Sequence, residues 1–478
     1  MPGGSEHRDV LIVGAGISGI DAAYHLQTRC PGKSYAIIEG RERIGGTWDL
    51  FCYPGIRSDS DMYTLGFPFR PWTGEKAIAD GPDIRDYLEE TAREFGIDRH
   101  IRFGHRVVRA DWSSKDARWT VEVEAEGEKR RFTCAFLYLA SGYYDYNRGY
   151  RPEWPGEAAF RGTVIHPQFW PEDLDVAGKR IVVIGSGATA VTLVPALAET
   201  AAHVTMLQRS PSYVVSRPSR DPLAGRLGPR LTRWKNVLLG MYFFNRARKR
   251  PERVREVILR LAAERLPAGY DLDRHFSPAY NPWDQRVCLV PDDDLFAAIA
   301  KGSVSVATDA IETFTETGIR LASGEALAAD IIVTATGLVV KLLGGIELSV
   351  DGARVDPAER FSYKGLMLSG VPNMSVVFGY TNASWTLKSD LAARYVCRLL
   401  RHMDAGGYAI CTPRLPDAPM ARLPMLDFSS GYVTRAAGSL PAQGPAPPWK
   451  VHQNYLKDLA ILRFGTVTDG AMEFRKAG

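Results

Sequence analysis

Cysteine is scarce in this 478-residue chain: six residues, at 30, 52, 134, 288, 397 and 411, with no C-x-x-C pair among them. Neither a metal site nor a disulfide framework is indicated. The lack of a closely spaced redox pair also argues against a flavin disulfide reductase. Long apolar runs are missing too, and no stretch is long and clean enough to span a bilayer. The amino terminus passes through Gly3, Gly4, Glu6 and Arg8 into a strand pattern, without the basic-then-apolar profile of a signal peptide. A cytoplasmic location is expected. Net charge is only +4, and no nucleic-acid-reading motif accompanies it, so a nucleic-acid partner is not expected.

That small net charge hides an asymmetry. Between Arg217 and Arg265, fourteen Lys or Arg stand against four Asp or Glu, so this segment carries about +10 and the remainder about −6. Leu223 to Met241 and Val254 to Leu266 repeat apolar residues every three or four positions, which predicts a helical insert over about 217–280. A basic amphipathic pair of this kind could lie on an anionic membrane surface. The preferred reading is a solvated subdomain whose apolar stripe packs on its neighbour.

Glycine supplies the strongest signal. Val10-Leu11-Ile12-Val13 reads as a buried strand and runs into Gly14-Ala15-Gly16-Ile17-Ser18-Gly19, after which Ile20 to Leu26 reads as a helix. Ile181-Val182-Val183-Ile184 likewise precedes Gly185-Ser186-Gly187-Ala188-Thr189-Ala190. Such a loop needs glycine for a tight turn, glycine for close backbone approach to a pyrophosphate, and a small residue for helix–strand packing. Two of them imply two dinucleotides and electron transfer between them. The strand after the first loop ends in Glu39, a carboxylate suited to the ribose hydroxyls of an unphosphorylated adenosine, as in FAD or NAD. Its counterpart ends in Gln208-Arg209-Ser210, where arginine can grip a 2′-phosphate that a carboxylate would repel, so the second ligand reads as NADPH.

The fold class expected is α/β, with two Rossmann-like dinucleotide-binding domains, one for FAD and one for NADPH, and a helical insert. The FAD domain is split: residues 1–148, with a β-rich insert around 101–136, then 331–478 after an NADPH domain at 149–330. Ile331 to Gly337 reads as a strand that marks the crossing back. A last strand near 374–379 and a helix over about 388–403 follow, and the Pro-rich tail after Cys411 is expected to wrap the surface.

Two motifs carry a family resemblance. One is Phe160-x-Gly162-x-x-x-His166-x-x-x-Trp170-Pro171; the other is Gly45-Gly46-Thr47-Trp48 followed by Tyr53-Pro54-Gly55 and Asp59. Together they resemble the fingerprints of the type I Baeyer–Villiger monooxygenases. The run Gly379 to Trp385 is similar to the branch that includes a mycobacterial ethionamide-activating enzyme. The resemblance implies a cycle in which NADPH reduces FAD, O2 adds at C4a, and the peroxyflavin oxygenates a small molecule. Ketones would give esters or lactones, and sulfide or thioamide sulfur would be oxygenated as well. A flavin-containing N- or S-oxygenase with little ketone chemistry is the alternative, although the Trp170-Pro171 ending favours the ketone-oxidising branch.

The same resemblance assigns roles. Arg286 stands where the family places its essential arginine, a guanidinium that stays protonated at working pH, and Asp59 is the carboxylate that pairs with it. Ser18, Thr47, Trp48, Asp49 and Val107 are expected to line the flavin, and Arg57 and Ser58 to face the nicotinamide. Many relatives have lysine where this chain has Gln285, so Arg209 and Ser210 are left to hold the 2′-phosphate. His166 and Trp170 are read as hinge or packing residues rather than as catalysts.

Overall fold

The computed structural model describes residues 6–426 and 428–477. Strand β1 (Glu6–Val13) enters the first glycine loop and helix α1 (Ile17–Arg29) leaves it, with β2 (Tyr35–Ile38) next in the chain. Val10 to Ile12 are fully buried, as befits a strand covered on both faces. Strands β3 (Arg106–Ser113), β4 (Arg118–Ala125) and β5 (Glu128–Leu139) then form an antiparallel meander. In β4 the side chains alternate, with Trp119, Val121 and Val123 buried and the polar residues between them facing out.

After the first crossing come β6 (Thr163–Ile165), β7 (Arg180–Ile184), the second glycine loop, α2 (Ala188–Leu197) and β8 (His203–Gln208). The basic helices α3 (Ala224–Lys249) and α4 (Pro251–Ala263) follow, then β9 (Val304–Thr308) and β10 (Ile331–Thr334). The chain returns to the first domain with β11 (Met374–Val376) and α5 (Trp385–Gly406).

The second sheet is five-stranded and parallel, in the order β9-β8-β7-β10-β6. In the first, β1 lies between β2 and β5, both parallel to it. The long β5 explains why the β-rich stretch is not a separate insert. Its first half pairs antiparallel with β4, and its second half pairs in parallel with β11. One strand thus serves both the meander and the nucleotide-binding sheet.

Two expectations need correction. The boundary at 330/331 falls one strand early, because β10 hydrogen-bonds to β6 and β7 in the second sheet, and the return begins only after it. The apolar surface of the basic insert packs on its neighbour only in part: Val237, Ile258 and Ala262 are buried, but a second stripe is not covered. Leu231, Trp234, Leu238, Leu239, Tyr242 and Phe243 of α3 are all exposed. Among the described residues no helix is long and apolar enough to cross a membrane.

Helix α1 is locked against α5 by buried polar contacts. Nε2 of His25 lies 2.9 Å from Asp390, Ser389 donates to Asp21 at 2.9 Å, and the Trp385 indole N–H donates to Ser18 at 2.8 Å. These bonds tie the helix of the first loop to the last large helix of the chain.

Candidate active site

A cleft of about 1540 Å³ runs between the two sheets, and both glycine loops open into it. At Gly14, φ is +106° and a Cβ would come within 2.6 Å of the Ala140 carbonyl oxygen, so the turn accepts no larger residue. Gly16 faces Gly46: a Cβ on Gly16 would lie in ordinary contact, 3.6 Å from the Gly46 Cα. A Cβ on Gly187 would meet nothing within 4 Å, so bare backbone borders open space there. Helices α1 and α2 both start without a side-chain cap. Their first-turn N–H groups are therefore left for an anion, which is what a pyrophosphate requires.

Most of the residues expected at the site reach this cleft. Gly14, Gly16, Ser18, Glu39, Thr47, Trp48 and Val107 line its first-domain side. Gly185, Ser186, Gly187, Ala188, Thr189, Arg209 and Ser210 line the other. Glu39 sits at the end of β2 and accepts the backbone N–H groups of Ala15 and Arg41 at 2.7 and 2.8 Å, which fixes its carboxylate against the first loop. Burial holds its pKa above the usual carboxylate value. Arg209 and Ser210 are exposed at the tip of β8.

Three expected residues stand behind the wall instead. Gly19 and Ala190 are packing positions; a Cβ on Gly19 would fall 1.9 Å from the Gly14 carbonyl oxygen, and Ala190 is fully buried. Asp49 is buried and spends its carboxylate on Arg41, at 2.6 Å. Arg57 and Ser58 also border the cleft, and each makes a polar contact within the protein. Arg57 donates to Asp294 at 2.6 Å, tying a first-domain loop to the second domain, and the Ser58 hydroxyl donates to the Ser60 carbonyl at 2.8 Å.

Arg286 and Asp59 do meet. The guanidinium Nε donates to Asp59 Oδ2 at 2.5 Å, and Nη1 donates to the Thr381 carbonyl at 3.2 Å. Both side chains keep about 30% of their surface exposed because they face the cleft. Burial by itself would lower the Arg286 pKa, but the adjacent Asp59 carboxylate outweighs it and holds the cation above its ordinary value.

Several residues of the cleft floor left no mark in the sequence. Tyr143 stacks on Trp385 with ring centroids 5.2 Å apart and shares a hydrogen bond with Tyr144. Tyr432 and Arg435 arrive from the tail, which does more than wrap the surface. Burial pushes the Tyr143, Tyr144 and Tyr432 phenols up, so they stay neutral beside Arg286. The tail also supplies Gln453, whose side-chain oxygen accepts from the backbone N–H of Thr381.

His166 and Trp170 both make contacts within the protein. The imidazole Nε2 donates to the Gly337 carbonyl at 3.2 Å, and Nδ1 accepts from the Gln168 N–H at 3.2 Å. Burial lowers its pKa, so the ring is neutral with both nitrogens engaged. It sits against Gly149, where a Cβ would come within 2.0 Å of it. Residues 144–149 and 338–340 pair there as a two-stranded ribbon, formed by the two passes of chain between the domains. Trp170 packs on the core of the second sheet.

Comparison with known proteins agrees with this architecture. Residues 76–401 match the flavin-binding monooxygenase-like family, and residues 12–76 match an NAD(P)-binding Rossmann-like domain. The FAD-containing monooxygenase EthA of Mycobacterium tuberculosis is 56% identical, covering 99% of this chain and 98% of its own. The probable FAD-binding monooxygenase AlmA of Acinetobacter baylyi is 48% identical over 98% of this chain and 97% of its own. Among solved structures, cyclohexanone monooxygenase from Rhodococcus sp. Phi1 bound to NADP+ superposes with a TM-score of 0.78 at 20% identity, covering 99% of this chain and 100% of that one. An oxidized steroid monooxygenase bound to NADP gives 0.76 at 22%, covering 98% and 100%; at such identities the likeness speaks for the fold alone. With the motifs, the paired loops and the match across most of its length in agreement, the chain belongs to the flavin-binding monooxygenase-like family.

Proposed function

We propose that this protein is an NADPH- and O2-dependent FAD monooxygenase that converts ketones to esters or lactones and also oxygenates sulfide or thioamide sulfur. The observation that carries this reading is the Arg286–Asp59 pair, set in the cleft between two uncapped glycine loops. When bound, FAD supplies the activated oxygen and NADPH the hydride. The first loop, with Glu39, Thr47, Trp48 and Val107, would hold FAD. The second, with Arg209 and Ser210, would hold NADPH.

Arg286 is the residue that acts on charge. It never deprotonates at working pH, so it stabilises an oxygen anion without a proton transfer of its own. Two of its N–H groups are committed, one to Asp59 and one to the Thr381 carbonyl, and the others remain for the reacting oxygen. Asp59 fixes the plane of the guanidinium. Tyr143, Tyr144, Tyr432 and Trp385 form an aromatic floor that keeps water away from a site where water would divert the oxygen to peroxide. A cytoplasmic location, where NADPH is supplied, is part of the same proposal.

The test is to follow NADPH loss by the purified holoprotein in air, with and without ketones and thioethers, and to identify products by gas chromatography. Esters or sulfoxides are expected. Arg286→Ala should still consume NADPH but release hydrogen peroxide, with product falling on the order of 10²-fold. Conversion of amines alone, or an undiminished product yield in that variant, overturns the reading.

A further inference from the structure

Helix α3 presents two opposite faces. Its buried side joins the cleft wall: Val237 packs with Tyr380 and Leu387. Phe244 meets the Trp283 ring edge-on at 5.6 Å, three residues from Arg286. Its outer side is an unbroken apolar stripe. Leu231, Trp234, Leu238 and Tyr242 follow one another at three- or four-residue steps, with Leu239 and Phe243 beside them, and they are 42–61% exposed. Tyr455, its ring centroid 6.0 Å from Trp234, brings the exposed Leu456 alongside. Apolar side chains this large, gathered on one face, mark an interaction surface rather than scattered exposure.

The charges around the stripe identify what it meets. From residue 222 to 251 there is no Asp or Glu, whereas eight Lys or Arg occur. Some of these serve the fold: Arg233 donates to the carbonyls of Tyr63, Thr64 and Gly66, and Lys235 pairs with Asp221. Arg226, Arg230, Arg246, Lys249 and Arg250 are exposed. We infer that this face docks on an anionic lipid bilayer, with Leu238, Tyr242 and Phe243 entering the acyl boundary and the arginines and lysine meeting headgroup phosphates. A second copy of the chain is the poorer occupant, because face-to-face pairing would bring two basic rims together. Nucleic acid has no use for the aliphatic side chains.

The inference does not depend on the chemistry of the cleft. Its test is co-sedimentation of the full-length holoprotein with vesicles of phosphatidylcholine alone, or of equal parts phosphatidylcholine and phosphatidylglycerol. Binding is expected only to the second, and it should weaken as salt is raised. The pair Leu238→Ser and Phe243→Ser, and separately the trio Arg246→Ala, Lys249→Ala and Arg250→Ala, should each weaken it at least about tenfold. NADPH oxidation in vesicle-free buffer should stay unchanged in both, which shows that they fold. Three results would overturn the inference: equal binding to both vesicle types, no binding to either, or a dimer in light scattering that the serine pair dissolves.

Discussion

The side-chain oxygen of Gln453 lies 3.1 Å from the backbone nitrogen of Thr381 and 3.3 Å from its hydroxyl, so a tail residue fixes the very residue whose carbonyl takes Arg286. The amide of Asn382 adds a bond to the Gln453 carbonyl at 3.0 Å. Gln453 is therefore a positioning residue, acting on the guanidinium through one intermediate. Gln453→Ala should leave NADPH consumption intact while the ratio of hydrogen peroxide to oxygenated product rises about fivefold, the equivalent of one neutral hydrogen bond. Gln453→Glu keeps the accepting oxygen and should recover much of the coupling. If both variants lose NADPH oxidation together, the role is merely structural.

Two glycines distinguish a folding requirement from a binding one. Gly187→Ala adds a methyl that meets no protein atom within 4 Å, so melting should shift little. The methyl would occupy the space assigned to a pyrophosphate, and the KM for NADPH should rise about tenfold or more with flavin content retained. Gly14→Ala collides with the Ala140 carbonyl at positive φ and should yield protein without flavin. Equal NADPH affinity in Gly187→Ala would remove the second loop from the proposed binding role.

Arg209 is exposed at the strand tip, on the cleft wall. Removing a charged contact to a 2′-phosphate costs roughly 1.5–3 kcal/mol, so Arg209→Ala should raise the KM for NADPH about 10- to 100-fold. The KM for NADH, which lacks that phosphate, should not move. Parallel loss with both coenzymes would point to a different contact.

The pH response of the fold has a defined sign. Burial lowers the folded pKa of His166 below its ordinary value of 6.5. Near that value the unfolded chain binds more protons than the native one, so stability is full above it and is lost as pH falls toward the folded pKa. Thermal melts between about pH 7 and about pH 5 should therefore decline more steeply in wild type than in His166→Gln, by up to about one bound proton. His25, whose pKa burial also lowers, is present in both proteins and cancels in the comparison. Identical slopes would mean that His166 titrates as it does in the unfolded chain.

What the sequence disclosed follows from how local its signals are. The strand–loop–helix units are contiguous, so buried runs beside glycines pointed to both of them. Asp59 and Arg286 lie 227 residues apart, and only their motifs connected them. Gln453, Tyr432 and Arg435 belong to a tail with no periodic pattern, and nothing local shows that it returns to the cleft. That Arg41 holds the carboxylate of Asp49 is likewise a contact no spacing reveals. The stripe on α3 was legible as an apolar face, but periodicity does not say whether protein covers it.

The ribbon of residues 144–149 and 338–340 gives the two domains an unusual joint. Tyr150 donates its N–H to Gly337 at 3.0 Å, Thr336 donates its hydroxyl to Tyr150 at 2.6 Å, and Lys341 donates its N–H to Tyr143 at 2.9 Å. Two covalent tethers that would otherwise behave independently are laced into a single shaft. Pulling the sheets apart at this joint would require breaking those hydrogen bonds together, so each crossing of the chain braces the other.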